Sequence, residues 1–136
     1  MKDTIFMKIV RREIPAEIVY EDDDTLAFLD VKPITPGHTL VVPKKHAENI
    51  FDIEEETLAA VMRTIRKISP AVRDAVNAHG VHINSNHGEA AGQIVSHLHF
   101  HIIPRHARGE FSFWPQNDYT SSDAASIAAA IRAKLK

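Results

Sequence analysis

His97-Leu98-His99-Phe100-His101-Ile102-Ile103-Pro104-Arg105 sets a histidine at every second position of an otherwise apolar run. A strand turns alternate side chains to the same face, so the run predicts one strand with three imidazoles on one surface. Leu98, Phe100 and Ile102 fall on the other. A single extended segment then offers an apolar side to a core and a chemically active side to a ligand.

Upstream lies the polar, glycine-bearing stretch Asn86-His87-Gly88-Glu89-Ala90-Ala91-Gly92, read as a loop entering the histidine strand. Gly92 removes side-chain bulk where backbone must approach a ligand, and Gln93 and Asn86 bring amide donors. Val81 to Ser85 reads as a strand closed off from a preceding helix by Gly80. That helix opens near Asp52, with Glu55 three positions on as an inverted capping box. It carries Leu58, Val61, Met62, Ile65, Ile68, Val72 and Val76 at helical spacing. Pro70 interrupts the stripe without shifting its phase, which predicts one kinked helix in preference to two helices with Ser69 as the second N-cap.

Further upstream, His38 to Val42 reads as a strand introduced by Pro36-Gly37 and closed by Pro43. His38 would add a fourth imidazole if that strand neighbours the histidine strand. Ile18 to Tyr20 and Leu26 to Leu29 read as strands around the acidic turn Glu21-Asp22-Asp23-Asp24, expected to be a solvated hairpin loop. Ile5 to Arg12 predicts a short amphipathic helix ended by Glu13-Ile14-Pro15. Beyond Arg105 the chain reads as irregular to about Thr120. Ile127, Ile131 and Leu135 then predict a C-terminal helix packed by one narrow face. Strands with one main helix and no regular βαβ alternation indicate an α+β fold on an antiparallel sheet.

The 136 residues, 44% hydrophobic and 25% charged, suit one domain spanning 1–136. Its core is expected over about 5–105, with 106–136 as an extension. A formal charge of −2 argues against wrapping a nucleic acid polymer by bulk electrostatics. The absence of cysteine excludes disulfides and thiolate metal sites and fits a reducing compartment. Neither a signal peptide nor a membrane span of roughly 20 apolar residues is visible. The expectation is a soluble cytoplasmic protein without membrane contact.

Neutral imidazole is a nucleophile and an acid-base group near neutral pH, and attack on phosphorus is a natural use of it. A neighbouring group can fix the tautomer of the attacking ring while other donors hold the phosphoryl oxygens. The rival chemistry is a metal site, since three histidines with one open position can activate water on zinc. No Asp or Glu lies on the same strand to complete one.

Pro36-Gly37-His38-Thr39-Leu40-Val41-Val42-Pro43-Lys44-Lys45-His46, then Ala91-Gly92-Gln93, then His97-Leu98-His99-Phe100-His101 resembles the histidine triad (HIT) family of nucleotide hydrolases and transferases. Glu13-Ile14-Pro15-Ala16 and Ala27-Phe28-Leu29-Asp30 extend the likeness, which runs from about Ile5 to Arg105. The resemblance implies a five-stranded antiparallel sheet with one long helix, short terminal helices and a homodimer. It also implies a nucleotide hydrolase that needs no cofactor and binds no metal. Its substrate would be a purine nucleoside phosphoramidate or a dinucleoside polyphosphate, cleaved at the α-phosphorus to release a nucleoside monophosphate.

By position, His99 matches the family's nucleophile, His101 the residue bonding phosphoryl oxygen, and His97 and His38 the imidazoles that complete and orient the site. Asn86, Gly92 and Gln93 match the phosphate side, Asp30 the ribose hydroxyls, and Phe28 and Val31 the walls around the base. The chain departs from the pattern at two places. Thr4 and Met7 stand where some relatives carry two cysteines that bind zinc with histidines matching His46 and His97, so that site is expected to be missing. Ile94 replaces a serine or threonine, which leaves open a nucleotide-binding module with little catalysis as the alternative function.

Overall fold

A computed structural model describes residues 3–120 and 122–135. Along the chain lie α1 (Ile5–Val10), β1 (Ile18–Glu21), β2 (Thr25–Leu29), β3 (Thr39–Pro43), α2 (Glu55–Ala75), β4 (Gly80–Asn84), β5 (Phe100–Arg105) and α3 (Asp123–Lys134). The five strands form one antiparallel sheet in the order β1-β2-β3-β5-β4. The α+β class follows as the sequence predicts.

Alternation along the strands gives the sheet two different faces. Ala27, Val41 and Ile102 point to α2 and pack on its Val61, Ile65 and Ile68. Leu26, Phe28, Leu40 and Val42 point the other way, onto Phe6 and Ile9 of α1. Each of these buried side chains larger than alanine contributes about 1.5–3 kcal/mol, and together they fix the register of the sheet. Leu40 pairs directly with His101, so the latter stands on the α1 face.

The histidine strand is shorter than expected. β5 begins at Phe100, and His97 to His99 form an irregular approach to it, with the Leu98 N–H donating to the Ala47 carbonyl. The capping expectation at Asp52 also changes. Its carboxylate accepts the N–H groups of Glu48 and Asn49, closing the turn before the helix, while α2 starts after Glu54. α2 then runs unbroken through Pro70, and the Ser69 hydroxyl donates to the Ile65 carbonyl instead of capping a second helix.

Asp22 is not merely a solvated turn residue. Its carboxylate accepts the backbone N–H groups of Asp24 and Thr25 and the hydroxyls of Thr25 and Tyr20. The Thr25 and Thr64 hydroxyls, 2.7 Å apart, tie this hairpin to α2. At the other end, α3 differs from expectation in packing. Ile127, Ile131 and Leu135 remain exposed, and no residue of the helix is buried. Among the described residues no helix is long and apolar enough to cross a membrane.

Candidate active site

One turn and one strand pairing bring the imidazoles together. Gly37 adopts φ +92°, a left-handed conformation open to glycine, and delivers His38 at the start of β3. β3 pairs with β5, which sets the His38 ring beside His101 with centroids 5.1 Å apart. The His99 and His101 rings are likewise 5.1 Å apart. The row that results is His38, His101, His99.

Hydrogen bonding assigns the protons along this row. The Ile34 backbone N–H donates to His38 Nδ1 at 3.0 Å, so the proton of His38 resides on Nε2. That Nε2–H faces His101 Nδ1 at 2.9 Å and donates to it. His101 therefore carries its own proton on Nε2. His99 donates from Nδ1 to the His97 carbonyl at 2.8 Å, which leaves the lone pair on its Nε2. One imidazole with a nucleophilic nitrogen thus stands next to another offering an N–H.

His97 is fully buried and outside the row. Its Nε2–H donates to the Pro43 carbonyl at 2.8 Å, its Nδ1 has no hydrogen-bond partner among the described residues, and its ring packs on His46 and Phe6. The three alternate histidines share the α1 side of the sheet, with His97 the most deeply buried of them. His97 supports His99 through its backbone carbonyl, and His38 supplies the third ring of the row. The His97 and His99 rings both pack on Phe6, so the alternate side chains stay on the α1 side although the backbone at 97–99 lies outside the ladder.

All four rings are held neutral. Burial pushes His38 below its usual range, the Arg105 charge adds to this, and the Asp30 carboxylate opposes it. Burial lowers His97 to about 4 against the opposing bond to Pro43. His99 is lowered by burial, opposed by its bond to the His97 carbonyl and by Asp30. Burial, with His99 and His38 as neighbours, brings His101 to about 4.

The remaining sequence candidates are distributed unevenly. Asp30 lies 3.8 Å from His38 Nε2, and its carboxylate also accepts the Lys32 N–H at 2.9 Å. Phe28 is buried in the α1-side core edge-to-face with Phe6, whereas Val31 is 86% exposed. Asn86 is exposed, and its amide sits 3.5 Å from where a Cβ on Gly92 would be. With φ +89°, Gly92 satisfies both a turn and this close approach. The Gln93 carboxamide is occupied within the loops: its amide donates to the Glu48 and Val95 carbonyls, and its oxygen accepts from Gly88 N–H and Asn49. Ile94 is 93% exposed.

The donor sets do not suit a metal. Asp30, His38 and His101 bring ligand atoms within 4.8 Å of one another, yet the facing nitrogens of the two rings are joined by their own hydrogen bond. At the position of the family's zinc site, the Thr4 hydroxyl caps α1 by accepting the Met7 N–H, and His46 Nε2 donates to the Ser96 carbonyl. A hydroxyl and a thioether are poor substitutes for thiolates there.

Several supporting groups have no signature in the sequence. The Ser85 hydroxyl donates to the His99 carbonyl at 2.7 Å, and Phe6 packs edge-on against the His99 ring at 4.9 Å. The Pro43 carbonyl and the Ile34 N–H act through backbone, which residue identity does not reveal.

A sheet bearing a row of neutral imidazoles with assigned tautomers defines a site suited to nucleophilic chemistry on a phosphoryl group. The HIT domain family matches residues 11–108, and the chain belongs to the HIT family. A HIT family protein from Bacillus subtilis, known as a crystal structure, superposes with TM-score 0.91 at 40% identity, covering 99% of each chain. Adenosine 5'-monophosphoramidase hnt1 of Schizosaccharomyces pombe is 33% identical over 135 residues, 97% of this chain and 98% of its own. Adenylylsulfatase HINT3 of Arabidopsis thaliana is 39% identical over 106 residues, 78% of this chain and 54% of its own.

Proposed function

We propose that the protein is a nucleotide hydrolase that cleaves purine nucleoside phosphoramidates or dinucleoside polyphosphates at the α-phosphorus. The single observation that carries this reading is the His99 tautomer, with Nδ1–H spent on the His97 carbonyl and Nε2 free. His99 Nε2 attacks the α-phosphorus, forming an N–P bond as the bond to the leaving group breaks. The leaving group departs with that electron pair and takes a proton from solvent, which the water of the second step gives back. Water then attacks the nucleotidyl-histidine, releases the nucleoside monophosphate and restores the imidazole.

In this scheme the His101 Nε2–H bonds a phosphoryl oxygen, His38 holds His101 in that tautomer, and His97 holds His99. Asp30 accepts the ribose hydroxyls, Val31 and the edge of Phe28 border the base, and Asn86 with the backbone at Gly92 and Gln93 approaches the phosphate. The named activities of the Schizosaccharomyces and Arabidopsis relatives support a nucleotide substrate. A cytoplasmic homodimer completes the proposal, with β4 as an open sheet edge and Ile83 exposed on it.

The test is AMP release from adenosine 5'-phosphoramidate and from a diadenosine polyphosphate, with chelator present, by wild type and His99→Ala. Turnover by wild type and a loss on the order of a thousandfold or more in the variant are expected. A second reading, a nucleotide-binding module with little catalysis, is favoured by Ile94, which brings no hydroxyl to the loop. AMP binding by calorimetry without turnover of either substrate would select it.

A further inference from the structure

Arg105 ends the histidine motif but lies outside the row of imidazoles, and it centres a second cluster on the same face of the sheet. Residues 101, 103 and 105 of β5 alternate to one side, and β4 sets His82 opposite Ile103 and Gly80 opposite Arg105. Arg105 Nε donates to His82 Nδ1 at 2.9 Å, and its guanidinium stacks over Phe111 at 5.5 Å. The Arg108 guanidinium stacks over Phe113 at 5.4 Å, and the two phenyl rings are 5.0 Å apart. Stacking leaves the edge N–H groups of each fork pointing away from its ring.

Among the described residues, neither guanidinium is ion-paired to a carboxylate. Glu110, the acid of the same segment, is engaged by His106, whose N–H donates to its carboxylate at 3.1 Å and whose ring lies 3.5 Å away. The cluster borders a cleft of about 390 Å³ whose lining includes His79, Gly80, Arg105, His106 and Arg108. A Cβ at Gly80 would meet nothing within 4 Å, so the floor opposite Arg105 is open. Arg105 lies four residue steps beyond His101, about 13 Å along β5.

The face therefore reads in order across the sheet. Asp30 and Phe28 lie on the β2 side, the imidazole row in the middle, and two unneutralised guanidiniums on the β4 side. We propose that the cleft at Arg105 and Arg108 binds the distal phosphates of a polyphosphate leaving group, making the site selective for phosphate-bridged dinucleotides over substrates that release a neutral amine. This rests on the reading of the imidazole row as the site of the α-phosphate. The Arg108 fork, together with the N–H groups of Arg105 beyond those that donate to His82 Nδ1 and the Glu110 carbonyl, supplies charge-assisted donors to phosphate oxygens, and the phenyl rings hold both guanidiniums in place.

The test is calorimetry on the wild-type protein with AMP and with a diadenosine tetraphosphate analogue whose α,β-bridging oxygens are methylene groups. It is repeated with Arg108→Gln and Arg108→Glu, whose exposed side chain makes no contact with the row. Wild type should bind the analogue roughly tenfold or more tighter than AMP. Arg108→Gln should remove most of that advantage, Arg108→Glu more, with AMP affinity held within about twofold. An analogue that binds no tighter than AMP, or an advantage untouched by both substitutions, overturns the leaving-group cleft while leaving the imidazole row intact as a nucleotide site. Loss of binding to both ligands in wild type overturns the nucleotide reading itself, and the cleft with it.

Discussion

His99 donates its Nδ1 proton to the carbonyl of His97, two residues earlier in the chain, at 2.8 Å. A ladder would have turned that carbonyl toward a neighbouring strand. Because β5 starts only at Phe100, the carbonyl is left for the ring, and the irregular backbone becomes the device that selects the His99 tautomer. The Ser85 hydroxyl holds the next carbonyl but one, that of His99 itself.

Stability should fall steeply in mild acid. His97 sits at about 4 in the folded protein and near 6.5 when unfolded, so between these values the unfolded chain binds more protons. The contribution is complete above about pH 6.5 and is lost as pH falls towards 4, reaching up to about 3 kcal/mol for His97. His101 acts in the same direction. Urea midpoints measured between pH 7 and pH 4 check this, and His97→Phe should flatten the slope.

Substituting His38 tests the proton arrangement. In His38→Phe, His101 Nδ1 loses its donor, and the ring is free to place its proton on either nitrogen. The expected outcome is a fall in kcat of roughly tenfold to a hundredfold with a smaller change in KM. Steady-state kinetics on the phosphoramidate, together with nitrogen shifts of the His101 ring, distinguish this from a folding defect.

Gly37 is where backbone conformation and packing coincide. Its φ is +92°, and an added Cβ would lie 3.1 Å from Val76 and 3.2 Å from Pro104. Gly37→Ala should destabilise the protein by about 1–3 kcal/mol and displace His38 from His101. Gly109→Ala, where a Cβ meets nothing within 4 Å, serves as the neutral comparison in thermal denaturation.

Asp22→Ala removes the acceptor for two backbone N–H groups and three hydroxyls at the β1–β2 turn. Partly buried donors left unpaired cost about 2 kcal/mol or more, and Asp22→Asn should recover part of this. Chemical denaturation reads both values, and activity at low temperature should be little altered because the turn is remote from the row.

The α+β class, the long amphipathic helix and the strand positions to within a few residues were all legible in the chain itself. Periodicity encodes which face of an element is buried, and the spacing of Val61, Ile65 and Ile68 or of Leu40 and Val42 records it directly. Family resemblance carried the number of strands and their antiparallel sense, and the structure supplied their order. Three matters were settled only by the folded structure: that His97 retreats into the core while His38 joins His99 and His101, which nitrogen of each ring holds the proton, and that Gln93 is spent on loop carbonyls. Their partners are the backbone groups of Ile34, Pro43, Glu48 and Val95, brought near by strand pairing and loop closure. Backbone amides are the same in every residue, so sequence leaves no trace of which of them a side chain will meet.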